Sequence, residues 1–188
     1  MRCDAVSGAV DYEVSAHYVA SLAKVMEAQR LLYVCPCDAL ALLENPWASR
    51  WWSGRVVESA LVAVRRDFGD EALRTVATAL LQQHMTPGLA PAISWLVSLA
   101  GVRPSALLAR LDLLALTLLR GVRFEWKADS QRSGEVRVCY PEAGPDPQVR
   151  VEVWRGIFEQ VFAVTHHQGS VTDIHVERAV VRARLAWE

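Results

Sequence analysis

Two thiols, two adjacent imidazoles and a cluster of indoles are the side chains here with distinctive chemistry. Cys35-Pro36-Cys37 sets two thiols one residue apart, a spacing at which thiolates can share a metal ion. His166-His167 would complete a tetrahedral set, but neither spacing nor order brings it to the cysteines. The other reading of Cys35 and Cys37 is a pair of semi-buried thiols at a helix junction. They also lack the Cys-x-x-Cys helix start of a dithiol redox centre. His84 closes one helical stretch and His166-His167 another, where an imidazolium faces the negative end of the helix dipole. His175 alternates with Ile174 and Val176 on the polar face of a strand. No Ser-His-Asp or Cys-His order can be argued, and there is no Gly-rich phosphate loop. The chain is therefore expected to be no enzyme, and no catalytic residue is assigned.

Trp47, Trp51 and Trp52 fall within six positions. If that stretch is helical, Trp47 and Trp51 share a face with Trp52 beside it. Such a cluster packs a core, lids an apolar pocket or anchors an interface. The remaining composition narrows the classes. The chain has 188 residues, 52% hydrophobic and 22% charged, which excludes intrinsic disorder. A formal net charge of −1 argues against a non-specific grip on nucleic acid. Of 20 basic residues only Lys24 and Lys127 are lysine, but the arginines are scattered among acids rather than gathered for anion recognition. Four cysteines make no disulfide scaffold. Asp4 and Asp11 interrupt any leader-like apolar run. Pro91, Ser94 and Ser98 break Leu89–Val102, and Asp112 breaks Leu107–Leu119, so neither reaches the roughly 18 apolar residues of a membrane span. A cytoplasmic location with reduced thiols is expected.

The elements that would position these residues follow from periodicity. Ser15–Val34 has helical apolar spacing with Ser15 as cap. Cys37–Glu44 is a short helix stopped by Asn45-Pro46. A helix from Pro46 through Trp51 and Trp52 to Arg66 is expected, with Gly54 inside it at a cost of about 1 kcal/mol. Asp70 caps a helix over 71–84. Ala90–Ala100, carrying Trp95, is apolar all round, as a buried central helix or one covered by a partner subunit would be. Pro104-Ser105 opens a helix over 106–119, closed by Arg120-Gly121. The period then changes to two. Val122, Phe124 and Trp126 pair with Val136, Val138 and Tyr140 as a hairpin. A helix over about 149–166 carries Val153, Trp154, Ile157, Phe158, Val161 and Phe162 on one stripe. A second hairpin alternates through Thr172, Ile174 and Val176, then Val181, Ala183, Leu185 and Trp187. The class is α+β: an N-terminal helical bundle packed on a C-terminal four-stranded antiparallel sheet, two hairpins flanking one helix. One domain spans 1–188, made of an N-terminal helical segment 1–45, a helical core 46–121 and the hairpin-helix-hairpin 122–188.

This order of elements resembles the fold shared by haem nitric-oxide/oxygen-binding domains, vinyl-reductase-type effector-binding domains and the core subunits of the transport-protein-particle tethering complex. The helix beginning Val153-Trp154-Arg155-Gly156-Ile157, Gly169 and the last strand ending Arg184-Leu185-Ala186-Trp187 carry the likeness. With Phe68-Gly69-Asp70-Glu71-Ala72-Leu73, they are most similar to a large myxobacterial family of short proteins. The haem branch implies an axial histidine in a Leu-Asp-x-Leu-His run. The comparable run here is Leu111-Asp112-Leu113-Leu114-Ala115, with Ala115 at the ligand position. It also implies a Tyr-x-Ser-x-Arg clamp for the propionates. Tyr140-Pro141-Glu142-Ala143-Gly144 keeps only the tyrosine. A haem here would lack its iron ligand and its anion partner, so no cofactor is expected. With only Cys139 in the C-terminal half, the zinc site of the vinyl-reductase-type branch is missing too.

What the resemblance implies is a non-enzymatic sensor or adaptor domain. It would bind a small apolar ligand in a pocket lined by Trp51, Trp95, Leu114, Tyr140 and Phe158. It would signal as a homodimer or through a protein partner. The alternatives are a tethering or interaction module whose pocket is filled by its own side chains, and a metal or redox protein built on Cys35 and Cys37.

Overall fold

In a computed structural model of the chain, residues 11–85, 103–111 and 116–188 are described. The expected helix over 90–100, with Trp95, lies outside them, as do Leu114 and Ala115. The fold is α+β, as the periodicity indicates.

The chain enters on strand β1 (Glu13–Ser15) and turns into helix α1 (Ala16–Ala28). Ser15 caps α1, its hydroxyl accepting from the Tyr18 backbone N–H at 3.2 Å. A 3-10 turn (Leu32–Val34) leads to α2 (Cys37–Glu44). The tryptophan cluster then departs from expectation. Pro46–Ala48 is a single 3-10 turn, and Trp51–Ser53 is strand β2, not helix. Helix α3 begins only at Gly54 and runs to Phe68. The reason lies in Tyr12, whose ring occupies the space a Cβ at Gly54 would need, while the Gly54 N–H donates to the Tyr12 carbonyl at 2.8 Å. Gly54 thus opens the helix where the chain approaches Tyr12, rather than weakening its middle. The three tryptophans accordingly share no helix face. Helix α4 (Asp70–Met85) follows after Gly69.

Helix α5 (Pro104–Leu108) takes the start of the helix expected over 106–119; 109–110 form a turn, Leu111 and Leu116 are again helical, and 112–115 lie outside the described residues. The stretch expected to be helical to 119 ends instead in strand β3 (Leu119–Arg120). β1 pairs with both β2 and β3, Val14 opposite Trp52 and Glu13 opposite Arg120, in a small antiparallel sheet of order β2-β1-β3. Strands of two or three residues leave too little alternation to be read from sequence.

The C-terminal part follows the period-two reading. β4 (Arg123–Ala128) and β5 (Ser133–Cys139) form the first hairpin, and β6 (Gly169–Glu177) and β7 (Val180–Trp187) the second. They make one antiparallel sheet of order β4-β5-β7-β6, with Val138 opposite Val181 and Val136 opposite Ala183. Helix α6 (Pro147–Val164) starts on an Asp146 cap with Pro147 in its first turn. Phe158, Val161 and Phe162 on α6 are buried with Val136, Val138, Val181, Ala183 and Leu185 of the sheet. α6 packs on its other side against α4 and α3. The alternation that makes the sheet two-faced thus supplies a floor for α6, and α6 supplies the wall of a cleft roofed by α3 and the residues around β1.

Candidate functional site

Four elements converge on that cleft. Tyr12 precedes β1, Glu58 sits in the second turn of α3, Tyr140 follows β5, and Arg150 and Trp154 stand one turn apart on α6. Arg150 and Glu58 are both almost completely buried, and Arg150 Nε donates to Glu58 Oε1 at 2.6 Å. The same guanidinium donates through Nη1 to the Glu142 carbonyl at 2.8 Å, and its Cζ lies 3.8 Å from the centre of the Tyr140 ring. Burial opposes its charge, but the bonded Glu58 carboxylate more than offsets this and raises its pKa.

Aromatic rings enclose the pair. Tyr12 meets Tyr140 edge to face at 5.1 Å, and its hydroxyl donates to the Gly54 carbonyl at 3.2 Å. Trp154 Nε1 donates to the Tyr140 hydroxyl at 2.8 Å, and its ring touches Phe124 and Phe158. Desolvation pushes Tyr140 up to about 12 and holds Tyr12 well above its ordinary value. Both phenols are therefore neutral donors at physiological pH. Among these residues a cavity of about 60 Å³ remains, lined also by Tyr18, Val57, Leu61, Leu119, Val149, Val153 and Ile157. Gly144, in the loop before α6, passes over the ion pair. A Cβ there would stand 2.8 Å from Arg150 Nε and 2.9 Å from Glu58 Oε2.

Of the residues expected to line a pocket, Tyr140 borders this cavity and Phe158 is packed below Trp154. Trp51 lies elsewhere, on β2, with Arg120 Cζ 3.8 Å from its ring centre. Trp95 and Leu114 are outside the described residues. Cys35 is half-buried, with its thiol pKa raised by burial, and Cys37 is exposed at the start of α2. Among the described residues no group of three or more His, Cys, Asp or Glu could hold a metal ion, so His166-His167 does not complete a set with them. His167 Nδ1 instead lies 2.6 Å from the Thr165 carbonyl.

Glu58 and Arg150 are the site residues that periodicity passes over. A signal is present: Glu58 falls on the same helical stripe as Val57, Leu61 and Val64, and Arg150 lies between Val149 and Val151, one turn before Trp154. A charge on a stripe that must be buried requires a partner.

No family model matches the chain, and no curated protein does. Solved structures do. An oxygen-binding H-NOX domain related to soluble guanylate cyclases, in its oxygen complex, superposes with a TM-score of 0.60 at 13% identity, over 93% of this chain and 95% of that one. The Fe(II) unliganded H-NOX protein from K. algicida gives 0.64 at 8% identity, over 93% and 96%. An H-NOX structure that probes the function of haem distortion gives 0.61 at 12%, over 93% and 95%. The fold is that of the H-NOX domains.

Haem is the group named for those H-NOX structures, and the described residues of the cleft bear on it in three ways. Among the described residues, no histidine, cysteine or methionine borders the cavity; Tyr12, Tyr18 and Tyr140 do, but burial raises the pKa of all three and disfavours the phenolate that a tyrosine ligand supplies. The guanidinium suited to a propionate is already neutralised by Glu58. The remaining 60 Å³ is far below the roughly 300–1,000 Å³ of an ordinary cofactor pocket.

Proposed function

We propose that the chain is a non-enzymatic sensor or adaptor domain that uses the H-NOX fold without haem. The observation that carries this is the cleft itself: the Glu58–Arg150 pair and its aromatic shell occupy the helix–sheet interface and leave room for only a small molecule. Ala115 at the expected axial position and the Pro141–Gly144 stretch in place of a propionate clamp support the same reading. We place the chain with the short myxobacterial branch of the fold, on its Val153–Ile157 and Arg184–Trp187 segments. In this reading one domain spans residues 1–188, acts in the cytoplasm and passes its signal through a homodimer or a protein partner. Tyr33 and Phe68, exposed and in edge-to-face contact at 6.1 Å, are the candidate contact surface.

The small size of the cavity also favours a second reading, an interaction module whose pocket is filled by its own side chains. Native mass spectrometry of the purified protein separates the two. A small mass bound to monomer or dimer supports the sensor, and self-association without a bound mass supports the interaction module. A bare monomer that stays bare with small ligands present sinks it.

A further inference from the structure

A second pocket shares no lining residue with the helix–sheet cavity. It has a volume of about 170 Å³ and is lined by Arg103, Gln131, Arg132, His167, Trp187 and Glu188. Backbone bonds hold its parts together. The Trp187 N–H donates to the Arg132 carbonyl, in the turn between β4 and β5, at 2.9 Å, and the Glu188 N–H donates to the Gln168 carbonyl, after α6, at 2.9 Å. Trp187 is buried beside Trp126 and Phe162 and forms a fixed aromatic wall. The charges on the rim are of both signs. Arg103 and Arg132 bring guanidinium donors and Glu188 a carboxylate, and none of the three is in an ion pair among the described residues. His167 Nδ1 lies 2.6 Å from the Thr165 carbonyl, so in the neutral ring it carries the proton and Nε2 is the acceptor. Gln131 offers a donor and an acceptor. A simple cation entering this pocket is repelled by the two guanidiniums, and a simple anion by Glu188. A molecule with a carboxylate at one end and an ammonium at the other suits both. The guanidiniums match the carboxylate, and Glu188, His167 Nε2 and Gln131 Oε1 match the three N–H donors of the ammonium. At roughly 30 Å³ per water-sized unit, the space takes about five or six non-hydrogen atoms, the size of free glycine or alanine.

We propose that Arg103, Arg132 and Glu188 form a recognition site for a small free α-amino acid, seated against Trp187. The site stands apart from the cleft, so it does not depend on the sensor reading. The test is a titration of the ¹⁵N-labelled full chain, following the Trp187 indole N–H and the Glu188 amide. Glycine and alanine are the probes, acetate carries the carboxylate alone and methylammonium the ammonium alone. The amino acids are expected to produce saturable shifts at Trp187 and Glu188 and not at exposed Trp47, with affinity at least about tenfold above either half-molecule. Arg132→Gln is expected to weaken glycine and acetate alike. Glu188→Gln is expected to weaken glycine about tenfold and leave acetate no weaker, which separates recognition of the ammonium from simple anion binding. Both side chains are exposed, so both variants are expected to keep the wild-type Tm. Acetate or methylammonium binding as tightly as glycine would overturn recognition of both charges, as would a Glu188→Gln variant with wild-type glycine affinity. No saturable shift with any of the four probes would overturn the site altogether.

Discussion

Replacing Arg150 by methionine isolates what the buried ion pair does. The substitution keeps an unbranched side chain of similar length in the cleft but removes the donor to Glu58 Oε1. Glu58 Oε2 already lacks a partner among the described residues, so the carboxylate would be left buried with neither oxygen satisfied. Arg150 and Glu58 side chains are only 3% and 5% exposed, so water offers little compensation. Breaking such a pair costs about 3–5 kcal/mol. For a domain of this size that is a fall in Tm of roughly 6–20 °C. Thermal unfolding by circular dichroism and urea unfolding at equilibrium both read it. The double variant Glu58→Leu with Arg150→Met removes both charges, and is expected to recover most of the loss or to exceed wild type by about 1–4 kcal/mol. A loss under about 1 kcal/mol for Arg150→Met alone is the behaviour of a solvated pair. It would refute the reasoning that this ion pair is shielded from water.

Three further outcomes follow from the same geometry. Gly144→Ala places a methyl 2.8 Å from Arg150 Nε and 2.9 Å from Glu58 Oε2, and should lower stability by about 1–3 kcal/mol in urea. Trp154→Phe removes the donor to Tyr140 and leaves space beside Phe158, with an expected loss of about 1–3 kcal/mol and a change in near-ultraviolet circular dichroism. Tyr140 titrates near 12 when folded against 10.0 when not, so the unfolded chain gives up that proton first and stability falls as pH rises from about 10 to 12. Absorbance at 295 nm should show the buried tyrosines ionising together with loss of fold; a tyrosinate at Tyr140 in folded protein at about pH 10.5 would contradict this.

How far the sequence can be read depends on element length. The two C-terminal hairpins alternate over six to nine residues, and their strands and the intervening helix are legible in Phe124, Val136, Phe158 and Leu185. β1, β2 and β3 are not, because two or three residues carry no measurable period. Spacing alone puts Trp51 and Trp52 in a helix for that reason, and what places them on a strand is a long-range partner, Val14 opposite Trp52. The site is legible in part. Tyr140 is reached through its place at the end of the first hairpin. Glu58 and Arg150 escape because periodicity counts apolar residues and treats a charge on the stripe as noise. Their 92-residue separation is bridged only by packing α3 on α6.

The central proposal is that the chain uses this fold without haem, its helix–sheet cleft being occupied by the Glu58–Arg150 pair. Titrating the purified protein with haem and following absorbance through the Soret region tests it directly. The expected result is the spectrum of unbound haem throughout, with no break at one equivalent and no rise in Tm. A sharp Soret band saturating at one haem per chain would contradict the account.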